Sequence, residues 1–157
     1  DLADDEWNRY WETNVMSGVR LSRAYMRGML ARDWGRIVFI SSESAQRVPK
    51  EMVHYGTTKM AQIALARGLA EAAAGTGVTV NSVLPGPTTS RAVGGFLDAV
   101  AKKQGVTPEE VGAGFLKSNK PTSLLHRFAT PEEVANMIVY VCSPQASATT
   151  GAAWQMK

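Results

Sequence analysis

From Asp4 to about Arg32, Trp7, Trp11, Asn14, Gly18, Leu21, Tyr25 and Met29 recur at intervals of three and four, the spacing of one helical face. Asp4 reads as the N-cap, with Asp5 and Glu6 well placed in the first turn against the positive end of the helix. Asn14 falls among apolar neighbours on this stripe. A buried amide without partners costs on the order of 1–3 kcal/mol, so its polar ends are expected to bond backbone, water or a ligand. Asp33-Trp34-Gly35 closes the helix, with Gly35 suited to the left-handed stop. The pattern then changes. Arg36–Ser41 has no polar alternation, as in a parallel strand covered on both faces. A loop over Glu43–Met52 contains Pro49, and a helix is expected from His54 to about Ala74, ending at Gly75-Thr76-Gly77. Its small residues Ala61, Ala64 and Gly68 permit close approach by another helix. Val78–Leu84 is a second buried strand, stopped by Pro85-Gly86-Pro87. Strand, helix and strand with a crossover of this length form a right-handed βαβ unit.

Between Gly86 and Ala129 no strand pattern occurs; helices are expected near Ala92–Gln104 and Pro108–Lys117. Thr107-Pro108-Glu109-Glu110-Val111 recurs as Thr130-Pro131-Glu132-Glu133-Val134. In both, Thr caps, Pro occupies the first turn and the second Glu returns to the cap, so these are two independent helix starts and not a repeat architecture. The second helix runs to about Cys142, Ser143-Pro144 ends it, and Gly151–Lys157 is the last strand. The chain therefore reads as α/β, with 1–157 as one domain. Within it, 87–129 has the character of a lid or substrate loop.

Composition narrows the function classes. The 157 residues suffice for one core. The net charge of +3 comes from scattered Lys and Arg, without the basic stripe or aromatic interleaving of a nucleic-acid binder. Cys142 follows the apolar run Met137–Val141 and is expected to be a small core residue. One cysteine and two histidines make neither a disulfide framework nor a zinc site, so no metal is expected. No apolar run reaches membrane-spanning length and no signal-peptide pattern is present; a cytoplasmic protein without a membrane partner is the expectation. The chain opens on Asp1-Leu2-Ala3, straight into a helix, and closes on Trp154-Gln155-Met156-Lys157 within a strand, as a piece of a longer protein would.

Candidate chemistry gathers at one place. The first strand delivers Ser41-Ser42-Glu43-Ser44 to its carboxyl end, Tyr55 comes thirteen positions after Ser42, and Lys59 four after Tyr55. That last spacing puts Tyr55 and Lys59 on one helical face, a turn apart. Ligands of parallel α/β sheets collect at the carboxyl edge, so a serine there facing a tyrosine–lysine pair makes an acid/base site. Alone, the same spacing usually marks only a half-buried tyrosine and a solvated lysine. His54 and His126 read as structural or solvated.

Asn14, Ile40-Ser41-Ser42, Tyr55-Gly56-Thr57-Thr58-Lys59, Asn81-Ser82-Val83-Leu84-Pro85-Gly86 and Arg127-Phe128-Ala129-Thr130-Pro131-Glu132-Glu133-Val134-Ala135 stand in the order seen in short-chain dehydrogenases/reductases. The chain resembles most the branch that includes 3-oxoacyl-carrier-protein reductases, over essentially its whole length. The resemblance implies a doubly wound parallel Rossmann sheet, of which about three strands with flanking helices, its C-terminal part, lie here. It implies a catalytic tetrad of Asn14, Ser42, Tyr55 and Lys59, with Ser41 and Ser44 ranked behind Ser42. Tyr55 would be the acid/base, Ser42 would hold the substrate oxygen, Lys59 would bond the nicotinamide ribose, and Asn14 would hold a water in a proton relay. A free tyrosine, with a pKa of about 10, is poorly matched to this work. A lysine charge roughly 4 Å away, at an effective dielectric near 20, favours a phenolate by about 4 kcal/mol, about a thousandfold in acid strength.

The resemblance also assigns cofactor contacts to Tyr55, Lys59, Pro85, Gly86, Thr88 and Ser90. Ser90 stands where a threonine is more usual, and Pro87 removes one backbone donor beside the turn. The cofactor would be NAD or NADP, the substrate a small carbonyl or alcohol, and the assembly a homodimer or homotetramer built by the helices over Trp7–Arg32 and His54–Ala74. One family feature is missing: no T-G-x-x-x-G-x-G turn follows a strand to cradle a pyrophosphate at a helix N-terminus. The chain is therefore expected to be the C-terminal portion of such an oxidoreductase, inactive alone. The alternative is a non-catalytic association module.

Overall fold

The computed structural model of the chain describes residues 2–121 and 123–156. Helix α1 (Asp4–Trp11) passes through a π-helical turn (Glu12–Met16) into α2 (Ser17–Ala31), and strand β1 (Gly35–Ile40) follows. Helix α3 (Val53–Ala72) leads to β2 (Val78–Pro85); α4 (Arg91–Gln104), α5 (Pro108–Asn119), α6 (Pro131–Cys142) and β3 (Ala153–Met156) complete the chain. The strands form one parallel sheet in the order β1-β2-β3, with Gly35 opposite Val78, Ile40 opposite Val83, and Pro85 opposite Met156. This is the α/β arrangement expected from the sequence.

β2 lies between the other strands and is buried along almost its whole length, as its unbroken apolar pattern demands. Its one amide, Asn81, is fully buried but satisfied: Nδ2 donates to the carbonyl of Thr149 at 2.9 Å, and Oδ1 accepts from the N–H of Ala152 at 3.1 Å. Asn81 thereby fixes the entry to β3. β1 is less covered than its sequence suggests, because among the described residues it pairs on one side only and Ile40 is exposed. Phe39, Ala66, Ala70 and Val80 form the core between the sheet and α3; Met26, Ala73 and Val78 continue it beneath α2.

The first helix departs from expectation at three points. Its N-cap is Ala3, without a side-chain cap, and Asp4 is already helical. The residues turned toward the core are Val15, Ser22 and Met26, whereas Leu21 is 59% and Tyr25 62% exposed. The stripe read from the sequence is thus largely an outward one, and Asn14 is half-buried at its margin. The left-handed stop is Asp33 (φ 51°), not Gly35; the Asp33 carboxylate accepts from the N–H of Gly77 at 2.7 Å, which holds an otherwise unfavoured backbone in place. Cys142, expected in the core, is exposed; its neighbour Val141 takes the buried position.

Both capping boxes form. In the second, Arg127 adds two bonds to the Glu133 carboxylate, at 2.8 and 2.6 Å. The Arg127 guanidinium, with the Thr130 N–H, holds the Glu133 carboxyl at about 2 against the usual 4.5. Since the folded value lies below the unfolded one, this stabilisation is present above pH 4.5 and is lost as the pH falls toward 2. Glu133→Gln should therefore lower the Tm at pH 7, and the gap to the wild type should close on acidification through that window. Thermal unfolding followed by circular dichroism at stepped pH checks this; a gap independent of pH would remove the ion pair from the account.

Candidate active site

The site is built where α3 meets the carboxyl end of β1. Ser41, the first residue beyond β1, donates its hydroxyl to the Lys59 carbonyl at 2.7 Å, and Lys59 Nζ donates to the Ile40 carbonyl at 2.9 Å. Strand end and helix are thus tied in both directions. Gly56 makes this approach possible. A Cβ there would lie 2.7 Å from Val48 Cγ1 and 2.8 Å from the Ser44 carbonyl, so a larger residue would push the Tyr55 turn off the loop. Ser42 caps the short 3₁₀ turn Glu43–Ala45, its Oγ accepting from the Ser44 N–H at 3.1 Å. Its own proton is left to donate elsewhere. Ser41 is committed to the backbone and Ser44 is buried, although both line the same cavity as Ser42.

Ser42, Tyr55, Lys59, Pro85, Gly86, Thr88 and Ser90 line one cavity of about 510 Å³ at the carboxyl edge of the sheet. The rest of the lining is largely apolar and includes Met52, Val93, Phe96, Leu97, Phe115 and Phe128. Ser90 caps α4, and its Oγ accepts from the Val93 N–H at 3.4 Å. Lys59 Nζ lies 5.5 Å from the centre of the Tyr55 ring. Burial pushes the Lys59 ammonium below its ordinary value. Of its three N–H groups, one goes to Ile40 and one, at 3.3 Å, to Gln62 Oε1, which leaves one for a group in the cavity.

Asn14 does not line this cavity. It sits behind α3, where Nδ2 donates to Thr58 Oγ1 at 2.9 Å, and Thr58, fully buried, donates to the Tyr55 carbonyl at 2.7 Å. The Asn14 carbonyl accepts from Gln62 Nε2 at 2.6 Å. The π-helical turn that presents this carbonyl is not legible in the sequence, although Thr13, Asn14 and Val15 are a run of poor helix formers. Of the side-chain amide expected to be bonded, the Nδ2 end is thus bonded by a protein group, while Gln62 takes the backbone carbonyl.

Sequence reasoning missed two further members of the site. Glu43, beside Ser42, is buried and forms a salt bridge with Lys120 just beyond α5. Gln62 stands three residues after Lys59, a spacing that shares its helical face and could have marked it. His54 is buried against Tyr10, with ring centroids 4.3 Å apart, and His126 lies away from this cavity beside Arg127 and Leu116. The excursion from Gly86 to Ala129 starts and ends at one point, a parallel bridge between Thr88 and Ala129.

A parallel α/β sheet thus carries serine, tyrosine and lysine at its carboxyl edge. A family model described as enoyl-(acyl carrier protein) reductase matches residues 1–156, and the chain belongs to the short-chain dehydrogenases/reductases. It is 45% identical over 153 residues to an uncharacterized oxidoreductase, YvaG, of Bacillus subtilis, covering 98% of this chain and 58% of that protein. With the 3-oxoacyl-[acyl-carrier-protein] reductase FabG of Vibrio harveyi it shares 31% over 150 residues, covering 96% of this chain and 55% of the relative. The crystal structure of L-sorbose reductase from Gluconobacter frateurii, complexed with NADPH and L-sorbose, superposes with a TM-score of 0.91 at 29% identity, over 100% of this chain and 59% of the other. The chain thus spans less than two thirds of the length of these relatives.

The Glu43–Lys120 pair carries a prediction. Lys120→Met leaves a buried carboxylate without its counter-charge and should cost about 3–5 kcal/mol, while adding Glu43→Gln should recover much of the loss. Urea unfolding of the single and double variants measures both. Equal losses would show that the two charges do not depend on each other.

Proposed function

We propose that this chain carries the acid/base half of a nicotinamide-dependent oxidoreductase interconverting a carbonyl and an alcohol. One observation carries the reading: a Ser42 hydroxyl free to donate, the Tyr55 side chain and the remaining Lys59 N–H belong to one cavity. Donors on one wall and aromatic and aliphatic groups on the other suit the nicotinamide-ribose end of NAD or NADP, with its hydroxyls and flat amide-bearing ring. Lys59 and Tyr55 would hold the ribose, and the turn of Pro85, Gly86, Thr88 and Ser90 the carboxamide side. When bound, the nicotinamide supplies or accepts the hydride at the substrate carbon.

The chain's own groups handle the proton. Ser42 donates a hydrogen bond to the substrate oxygen and orients it toward Tyr55. Tyr55 gives its proton to that oxygen in reduction and takes one back in oxidation. The Lys59 charge stabilises the negative charge that develops on the phenol oxygen, and partial burial strengthens that attraction relative to water. Asn14 acts from behind, holding through Thr58 the turn that carries Tyr55. Residues 87–129, which supply most of the apolar wall, form the substrate segment and select a small substrate with an apolar portion. L-Sorbose reductase, and an actinorhodin polyketide ketoreductase solved with NADPH at a TM-score of 0.83 and 28% identity, support nicotinamide-dependent carbonyl chemistry on this frame.

Assembly follows from the uncovered helix faces. Trp11, Leu21 and Tyr25 on the first helices, and Met60, Ala64 and Gly68 on α3, are exposed, and a Cβ at Gly68 would meet nothing within 4 Å. These faces pair across a two-fold axis in a homodimer or homotetramer.

In the whole protein, Tyr55→Phe should reduce turnover by at least about a hundredfold while nicotinamide binding persists, because only the proton-transferring oxygen is removed. Nicotinamide absorbance and calorimetry measure the two, and retention of more than a few per cent of the rate would dismiss Tyr55 as the acid/base. Sedimentation at micromolar concentration should show a dimer or larger species; a strict monomer would refute the paired faces.

A further inference from the structure

Gln62 has no part in the chemistry above, yet it is 8% exposed and both ends of its amide are engaged within one turn of Lys59. Its Oε1 accepts from Lys59 Nζ at 3.3 Å, and its Nε2 donates to the Asn14 carbonyl at 2.6 Å. That backbone carbonyl belongs to the π turn at Glu12–Met16. The orientation of the amide is not arbitrary: the ammonium can only donate and the carbonyl can only accept, so the oxygen must face Lys59 and the nitrogen Asn14. We infer that Gln62 is a positioning residue for Lys59, an amide strut that fixes the ammonium between β1 and the first helices and leaves one N–H for the cavity.

The inference rests on the role given to Lys59 above, but its geometry belongs to the chain itself. An aliphatic side chain of similar size at position 62 would fill the space while leaving the Asn14 carbonyl and one ammonium N–H unpaired. A small side chain would leave a polar hole between a donor and an acceptor, which water can enter and bridge. A strut and a mere filler therefore predict opposite orders of damage. For a filler, Leu is the mild substitution and Ala the harmful one. For a strut, Leu is harmful and Ala is partly rescued by solvent. Gln62→Glu differs again: it keeps an acceptor toward Lys59, adds a negative charge, and loses the donor to Asn14. The charged and titratable groups near Lys59 are Tyr55 on its own helix, Glu43 with Lys120 sharing the cavity, and Glu12 in the π turn, which is exposed and paired with Arg20 at 2.7 Å.

The first measurement needs no turnover: NMR titration of the lysine Cε resonances in the cofactor-free whole protein. Losing an acceptor disfavours the charged ammonium, so Gln62→Leu should raise its acid dissociation constant about threefold or more, and Gln62→Glu should lower it by about tenfold. An unmoved Lys59 titration in both variants overturns the strut; should the Leu variant not fold, the Glu variant alone decides. The second measurement is steady-state kinetics in the whole protein. Gln62→Leu should lower kcat by about tenfold with KM little changed, and Gln62→Ala should fall several-fold less. Leu milder than Ala would overturn the inference in favour of packing. A wild type without nicotinamide-linked turnover would refute the oxidoreductase reading instead, with the titration still deciding the strut.

Discussion

The junction between the carboxyl end of β1 and the first turns of α3 is the constraint on which the rest depends. Ile40 and Ser41 exchange hydrogen bonds with Lys59, and Gly56 lets the helix backbone come within reach of Ser44 and Val48. Everything chemically interesting hangs from this contact. Ser42 is positioned because Ser41 beside it is tied to Lys59, and Tyr55 because its turn cannot withdraw from the loop. The first helices then brace α3 from the other side through Asn14, Thr58 and Gln62. Tyr55 and Lys59 sit on a helix held from both sides by hydrogen bonds to neighbouring backbone and side chains, not on a free loop, so their geometry is inherited from the packing of the sheet.

Much of this was legible in the sequence because it rests on local rules. The change from a three-to-four period to continuous apolar runs marked β1 and β2. The two Thr-Pro-Glu-Glu-Val starts marked α5 and α6, and a spacing of four put Tyr55 and Lys59 on one face. What escaped depends on partners distant in the chain. Periodicity finds an apolar stripe but not the direction it faces. The first helix has two, one toward the sheet through Val15, Ser22 and Met26 and one outward through Trp11, Leu21 and Tyr25, and the more aromatic was taken for the inner. Asp33 displaces Gly35 as the left-handed residue because Gly77, 44 positions away, offers an N–H to its carboxylate. Cys142 ends an apolar run on the exposed side of α6 for the same reason: the run is only partly covered. Gln62 has a local mark in its spacing from Lys59, but its bond to Asn14 and the Glu43–Lys120 pair are long-range pairings with no local signature.

The cavity is divided chemically along the same lines. Most of its polar lining comes from the junction, joined by Thr88 and Ser90, and most of its apolar lining from α4, α5 and the stretch leading to α6. The Glu43–Lys120 pair is the electrostatic tie between them, joining the turn after Ser42 to the residue just beyond α5. A buried ion pair is weak evidence of stability, since desolvation opposes the attraction, but it fixes register strongly: neither charge tolerates the other's absence.

The bridge between Thr88 and Ala129 has a consequence for how such a chain can change. It pins the two ends of a forty-residue excursion side by side, through two backbone hydrogen bonds of 2.9 Å that involve no side chain of the polar wall. Insertions, deletions or wholesale replacement between those anchors alter loop-closure entropy only slowly with length and need not disturb β1 or α3. The fold thereby separates change in the apolar lining of the cavity from change at the β1–α3 junction. One half drifts freely under new chemical demands, while the other is held by packing that any drift would break.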